Sequence, residues 1–128
     1  MTGRRSSTTS SRGERPYAGP DNFDDARLRT LAGRVFDRTN DMGASMTNHF
    51  LLGDGGAGDY RLSQLAGVPT LVLHGTADPM FPLPHGKVLA ESIPGARLIE
   101  LDGVGHQLPP PDMWDLVVDA LFAHTSEA

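Results

Sequence analysis

Apolar residues recur along this chain with two different periods, and the change of period divides it. From Asp24 to Arg38 they fall at Leu28, Leu31, Ala32, Val35 and Phe36. Those steps of three and four lie on one face of a helix, and Asn22 or Asp24 is placed to cap its start. Met42, Met46 and Phe50 then recur every four residues, which predicts a second helix capped by Asn40 or Asp41, with its methionines filling core space. From Val68 onward the pattern shortens. The run Pro69-Thr70-Leu71-Val72-Leu73-His74-Gly75 is apolar and bounded by Pro and Gly, as suits a strand buried on both faces. Val88, Leu89 and Ile93 predict a helix over 84–93 stopped by Pro94-Gly95, and residues 96–101 a second strand. After the turn Gly103-Val104-Gly105-His106, a last helix is expected from about 112 to 124. Its stripe is Met113, Trp114, Val117, Ala120 and Leu121.

Strand, helix, strand, helix at this spacing predicts two parallel strands joined by a right-handed crossover, so the fold class is α/β. A strand buried on both faces needs a neighbour on each side. Residues 69–74 can pair with 96–101 on one side only, which leaves an exposed apolar edge along Leu71–Leu73 and a core of marginal stability.

Composition sharpens the boundaries. Residues 1–22 contain no Leu, Ile, Val or Phe, and residues 2–12 are dominated by Ser, Thr and Arg. This reads as a disordered leader rather than a signal peptide, because no apolar core follows the arginines. Residues 53–58 (GDGGAG) lack the Gly-Lys-Ser/Thr ending of a phosphate loop and read as a flexible connection. The expected organisation is a leader over 1–22, a helical segment and linker over 23–60, and an α/β segment over 61–128. The net charge of −5, carried by the body rather than the arginine-bearing leader, argues against nucleic acid or an anionic membrane as partner. With no cysteine there is no disulfide, thiolate nucleophile or cysteine-based zinc site. No apolar run is long enough to span a bilayer, and a cytoplasmic location is the default expectation.

Parallel strands joined by a crossover bring their C-terminal ends to one edge, where open α/β sheets place their chemistry. Asp78 follows the first strand there and His106 follows the second. An aspartate that accepts an imidazole's Nδ1–H fixes the tautomer and leaves Nε2 as a general base. Gly103 and Gly105 would let the turn carry the ring back over the edge. The plain alternative is that Asp78-Pro79 is only a turn and His106 only a solvated loop residue.

Residues 62–124 resemble the C-terminal end of an α/β-hydrolase. The motifs that carry the resemblance are residues 68–75 (VPTLVLHG), Asp78-Pro79 with Pro82, Ile93-Pro94-Gly95-Ala96 and Gly103-Val104-Gly105-His106. Residues 23–52 more loosely resemble the last cap helices of bacterial esterase-like members, including those that cleave polyketide methyl esters. The resemblance implies that the chain holds the last two parallel strands of such a core with their helices. It also implies that Asp78 is the acid and His106 the base of a Ser-Asp-His triad acting on a small-molecule ester. Phe81, Leu83 and Leu108 are then candidate pocket residues, and no cofactor is called for.

The nucleophile is missing from this pattern. Gly-x-Ser-x-Gly does not occur, and the nearest approach, Gly43-Ala44-Ser45-Met46-Thr47, follows a polar turn rather than an apolar strand. Ser45 therefore reads as an ordinary helix position. The early His-Gly segment of an oxyanion hole is absent too. The expectation is a truncated or a split hydrolase, inactive alone; in the split case the N-terminal half with the serine is a partner on another chain. Two rival readings are a non-catalytic binding or interaction module derived from the fold, and a metal site built from His74, Asp78, His85 and His106. The ligand types of the latter suit zinc, but their spacing matches no compact motif.

Overall fold

A computed structural model of the protein describes residues 13–53 and 61–126. Residues 1–12 of the expected leader and residues 54–58 of the expected linker lie outside the described residues. The chain divides into two compact units, one containing residues 24–60, the other residues 16–23 together with 61–128.

The first unit holds helix α1 (Asp25–Arg38) and the short helix α2 (Met42–Thr47), which runs into a 3-10 turn over Asn48–Leu51. Of the candidate caps, Asp24 and Asp41 are the ones used: their carboxylates accept the backbone N–H of Arg27 and of Ala44. The stripe on α1 has the expected spacing, yet none of its residues is buried. Met46 is likewise exposed rather than filling a core. The Phe50 side chain lies outside the described residues.

The second unit has the α/β class expected. Strands β1 (Leu71–Gly75) and β2 (Arg97–Leu101) pair in parallel, with Leu71 opposite Arg97 and Gly75 opposite Leu101. Helix α3 (Leu83–Ser92) makes the crossover, and helix α4 (Trp114–Ser126) follows β2 after a 3-10 turn at Pro111–Met113. Side chains alternate across the sheet. Leu73, Ile99 and Leu101 face one way and pack with Val104, Met113 and Val117. His74 faces the other way, onto the backbone of α3 at Gly86. Val104 is fully buried at the centre of the first cluster.

The core is smaller than the stripes suggest. Val117 and Ala120 of α4 are buried, while Trp114 and Leu121 remain exposed. Among the described residues the sheet has two strands only. Thr70 and Thr76 direct their backbone groups to β2, so by alternation Leu71 and Leu73 direct theirs to the opposite edge, where no described strand lies. That edge matches the expectation, and both leucines stay partly exposed.

The clearest departure concerns residues 16–22, which composition assigns to the leader. They run as an ordered strap along the turn after β2. The Tyr17 carbonyl accepts the backbone N–H of His106 at 2.6 Å, and Asn22 donates its side-chain amide to the Gly103 carbonyl at 2.9 Å. Gln107 donates its side-chain amide to the Asn22 carbonyl at 3.3 Å. Composition reports whether a segment can build its own core, and a strap that lies on another element's backbone does not need one. Among the described residues, no helix is long and apolar enough to cross a membrane.

Candidate active site

The two parallel strands end at the same edge, and the loops that follow them are laced together. Beyond the last ladder pair, the Thr76 and Ala77 amides donate to the carbonyls of Leu101 and Val104. Thr76 Oγ1 donates to Asp102 Oδ1 at 3.1 Å and accepts the Gly103 N–H at 2.8 Å. Gly75 abuts the Val104 carbonyl so closely that no Cβ fits between them. These contacts set the spacing of the two loops independently of the Asp78 and His106 side chains.

Asp78 opens the first loop in an Asx turn. Its Oδ1 accepts the backbone N–H of Met80 at 2.8 Å and of Phe81 at 2.9 Å. Oδ2, the other oxygen, accepts Nδ1–H of His106 at 2.9 Å. The Asp78 side chain is only 7% exposed and that of His106 44%. Burial pushes the Asp78 carboxyl up, but the Phe81 amide, the His106 ring and the Met80 amide together outweigh it, so the carboxyl sits below its ordinary value. It is an anion at neutral pH.

His106 stands at the apex of a three-residue turn closed by the Gln107 N–H on the Gly105 carbonyl. Gly103 has φ +67°, a left-handed conformation open to glycine. Gly105 is glycine for another reason: a Cβ there would collide with the backbone of Tyr17 and Gly19. The Phe81 ring lies 5.4 Å from the His106 ring at 54° and makes an edge contact with His85. Among the described residues none engages Nε2 of His106.

A hollow of about 350 Å3 opens at this edge, lined among others by Leu73, Phe81, Val104, His106, Gln107 and Pro109. Asp78, His106 and Phe81 thus come together as one group. Leu83 and Leu108 do not line the hollow; Leu83 begins α3 and Leu108 is 73% exposed. No lining residue carries a hydroxyl or thiol. Ser45 lies within helix α2, not in a strand-to-helix turn. No three His, Cys, Asp or Glu side chains converge to hold a metal among the described residues. The imidazoles of His74 and His85 are instead turned to the carbonyls of Phe81 and Pro82.

Several contributors escape the sequence reading. Thr76, Asn22 and the Tyr17 carbonyl act through long-range bonds that leave no local motif. His74 had one signal, a lone polar residue in an apolar strand.

Over 60 residues the chain is 40% identical to the rhodomycin D methylesterase DauP of Streptomyces sp. (strain C5), and equally to the rhodomycin D methylesterase DnrP of Streptomyces peucetius. The aligned stretch is 47% of this chain and 20% of each relative, so the chain spans about a fifth of the length of the curated relatives it matches. No family model matches the sequence. The chain is therefore related in part to methylesterases, and the relationship is hydrolase-like.

Proposed function

We propose that the Asp78–His106 pair is the acid and base of an ester-hydrolysing Ser-Asp-His triad of α/β-hydrolase type. The serine comes from polypeptide outside the described residues, in the same gene product or on a second chain. The observation that carries the reading is the 2.9 Å bond from His106 Nδ1 to a buried, ionised Asp78, with Nε2 left open at the hollow.

The chemistry follows from that geometry. Asp78 holds the ring in the tautomer whose Nε2 has a lone pair, and Nε2 takes the proton of a serine hydroxyl as its oxygen attacks the ester carbonyl. The imidazolium so formed is stabilised by the adjacent carboxylate, and Nε2–H then protonates the departing alcohol. Water repeats the cycle on the acyl-serine, and the acid leaves. The apolar lining of Leu73, Phe81, Val104 and Pro109 suits the uncharged body of a small ester better than an ionic ligand. The similarity to rhodomycin D methylesterases favours a methyl ester as the substrate class. With neither a hydroxyl nor a thiol in the lining, the pair supplies two of three roles, and the described residues alone are not expected to turn over. That same lining also suits the second reading, a binding module that keeps the fold's pocket without its chemistry.

A segment exchange tests the proposal. A segment of the rhodomycin D methylesterase DauP that includes the stretch matching this chain is replaced by residues 16–126 of this chain, so that the strap, both loops and the sheet are carried together. The chimera is expected to hydrolyse methyl ester, and His106→Ala in it to lower kcat by roughly 10⁴-fold. A chimera that melts cooperatively yet is no more active than its His106→Ala variant would overturn the catalytic reading and leave the binding module.

A further inference from the structure

We infer that His74 is a positioning residue for the Asp78–His106 pair, acting through Phe81, with Gly86 as the seat of its ring. The inference rests on the reading of that pair as acid and base.

The path is continuous. His74 Nε2 lies 2.8 Å from the Phe81 carbonyl oxygen. A carbonyl only accepts, so the ring carries its proton on Nε2 and donates it. The same Phe81 donates its N–H to Asp78 Oδ1 and packs its ring against the His106 ring. One residue thereby touches both members of the pair, and one side chain from β1 pins that residue's backbone. Without the bond, the loop over 78–82 keeps its own short-range turn and its contacts with His106 and His85, but loses its tie to β1 at Phe81.

The other face of the imidazole explains Gly86. A Cβ at that position would lie 2.7 Å from His74 Cγ and 2.9 Å from His74 Cβ. Such distances are not tolerated by carbon atoms, so α3 meets β1 by omitting a side chain where the ring sits. Gly86 is the one buried residue of α3. In an isolated helix a glycine here would weaken it relative to alanine, a penalty accepted opposite the polar ring of an otherwise apolar strand. Packing alone would be served as well by an apolar ring. Only a donor at the Nε2 position serves the Phe81 carbonyl.

The test uses imidazole nitrogen NMR on the full chain at pH 8, where ordinary imidazoles are neutral. In the wild type, His74 is expected as the Nε2–H tautomer and His106 as Nδ1–H. His74→Phe keeps the ring volume and removes the donor; it is expected to convert His106 from Nδ1–H to a mixture of tautomers. Gly86→Ala, whose methyl displaces the ring, is expected to do the same. His74→Gln restores an amide donor at similar reach, and His106 is expected to return to Nδ1–H. In the chimera described above, His74→Phe should lower kcat roughly 10- to 100-fold with KM little changed, and His74→Gln should recover most of it.

The inference is overturned if His74 proves to be the Nδ1–H tautomer, or if His106 keeps its tautomer in both His74→Phe and Gly86→Ala. Equal effects of His74→Phe and His74→Gln would also overturn it, since only packing is then at work. An inactive chimera would remove the catalytic reading while the NMR result still decides the role of His74.

Discussion

The two loops that meet at the sheet edge are built on opposite principles. The acid turn itself is folded locally: Asp78 accepts the amides two and three residues on, and His74, four residues earlier, ties it to the strand. The histidine turn is held from far away, by a strap that contacts it across 81 residues of sequence. A site can therefore have one half specified by neighbours along the chain and the other by a segment with no local relation to it. Mutational sensitivity should divide along the same line.

The largest effect is expected where strap and turn meet without side chains. Gly105→Ala places a methyl against the backbone of Tyr17 and Gly19, and neither side can yield by rotating a bond. It should destabilise the second unit by about 3 kcal/mol in urea unfolding. A smaller loss comes from Val104→Ala, which empties part of the fully buried centre of the core and should lower stability by about 2 kcal/mol. Asn22→Ala removes the strap's side-chain bond to Gly103 and should cost about 1 kcal/mol. If it proves silent by calorimetry, the strap does not hold the histidine turn through this bond.

Acidification tests the other loop. The Asp78 carboxyl sits below its ordinary value in the folded protein, so the unfolded chain takes up the proton first. Its stabilising contribution is complete above the ordinary carboxylate range and fades as pH falls through the lower folded value. Asp78→Asn, which keeps an oxygen for the two amides, should abolish that part of the acid sensitivity in pH-dependent melts. Least affected is the surface: Lys87→Ala breaks a half-exposed ion pair to Glu100 and should change stability by only about 0.5 kcal/mol.

How much of this was legible follows from the same contrast. Asp78, its turn and its partner His106 could be read from the sequence, because strand ends, an Asp-Pro turn and a Gly-x-Gly-His turn are local signals. Each helix and both strands could be read from period and caps, with Asp24 and Asp41 acting as expected. What could not be read was burial. Periodicity shows which residues share a face, not whether anything covers it, so Trp114, Leu121 and Met46 lie exposed on stripes that look like core. Leu108 failed for a related reason. Proximity to His106 in sequence does not place a side chain in the hollow, and this one is turned to solvent. The strap was illegible because the attribute that suggests a leader, a lack of Leu, Ile, Val and Phe, does not prevent a chain from lying flat on another backbone.

That strap gives the residues just ahead of α1 unusual weight. A cut before Asp24, where helix α1 takes its cap, leaves both units' helices and strands whole. It would nonetheless strip the His106 amide, the Gly103 carbonyl and the Gln107 side chain of their partners together. Proteolysis at a site more than eighty positions upstream would then disorient the imidazole while leaving every residue of the sheet and its crossover intact.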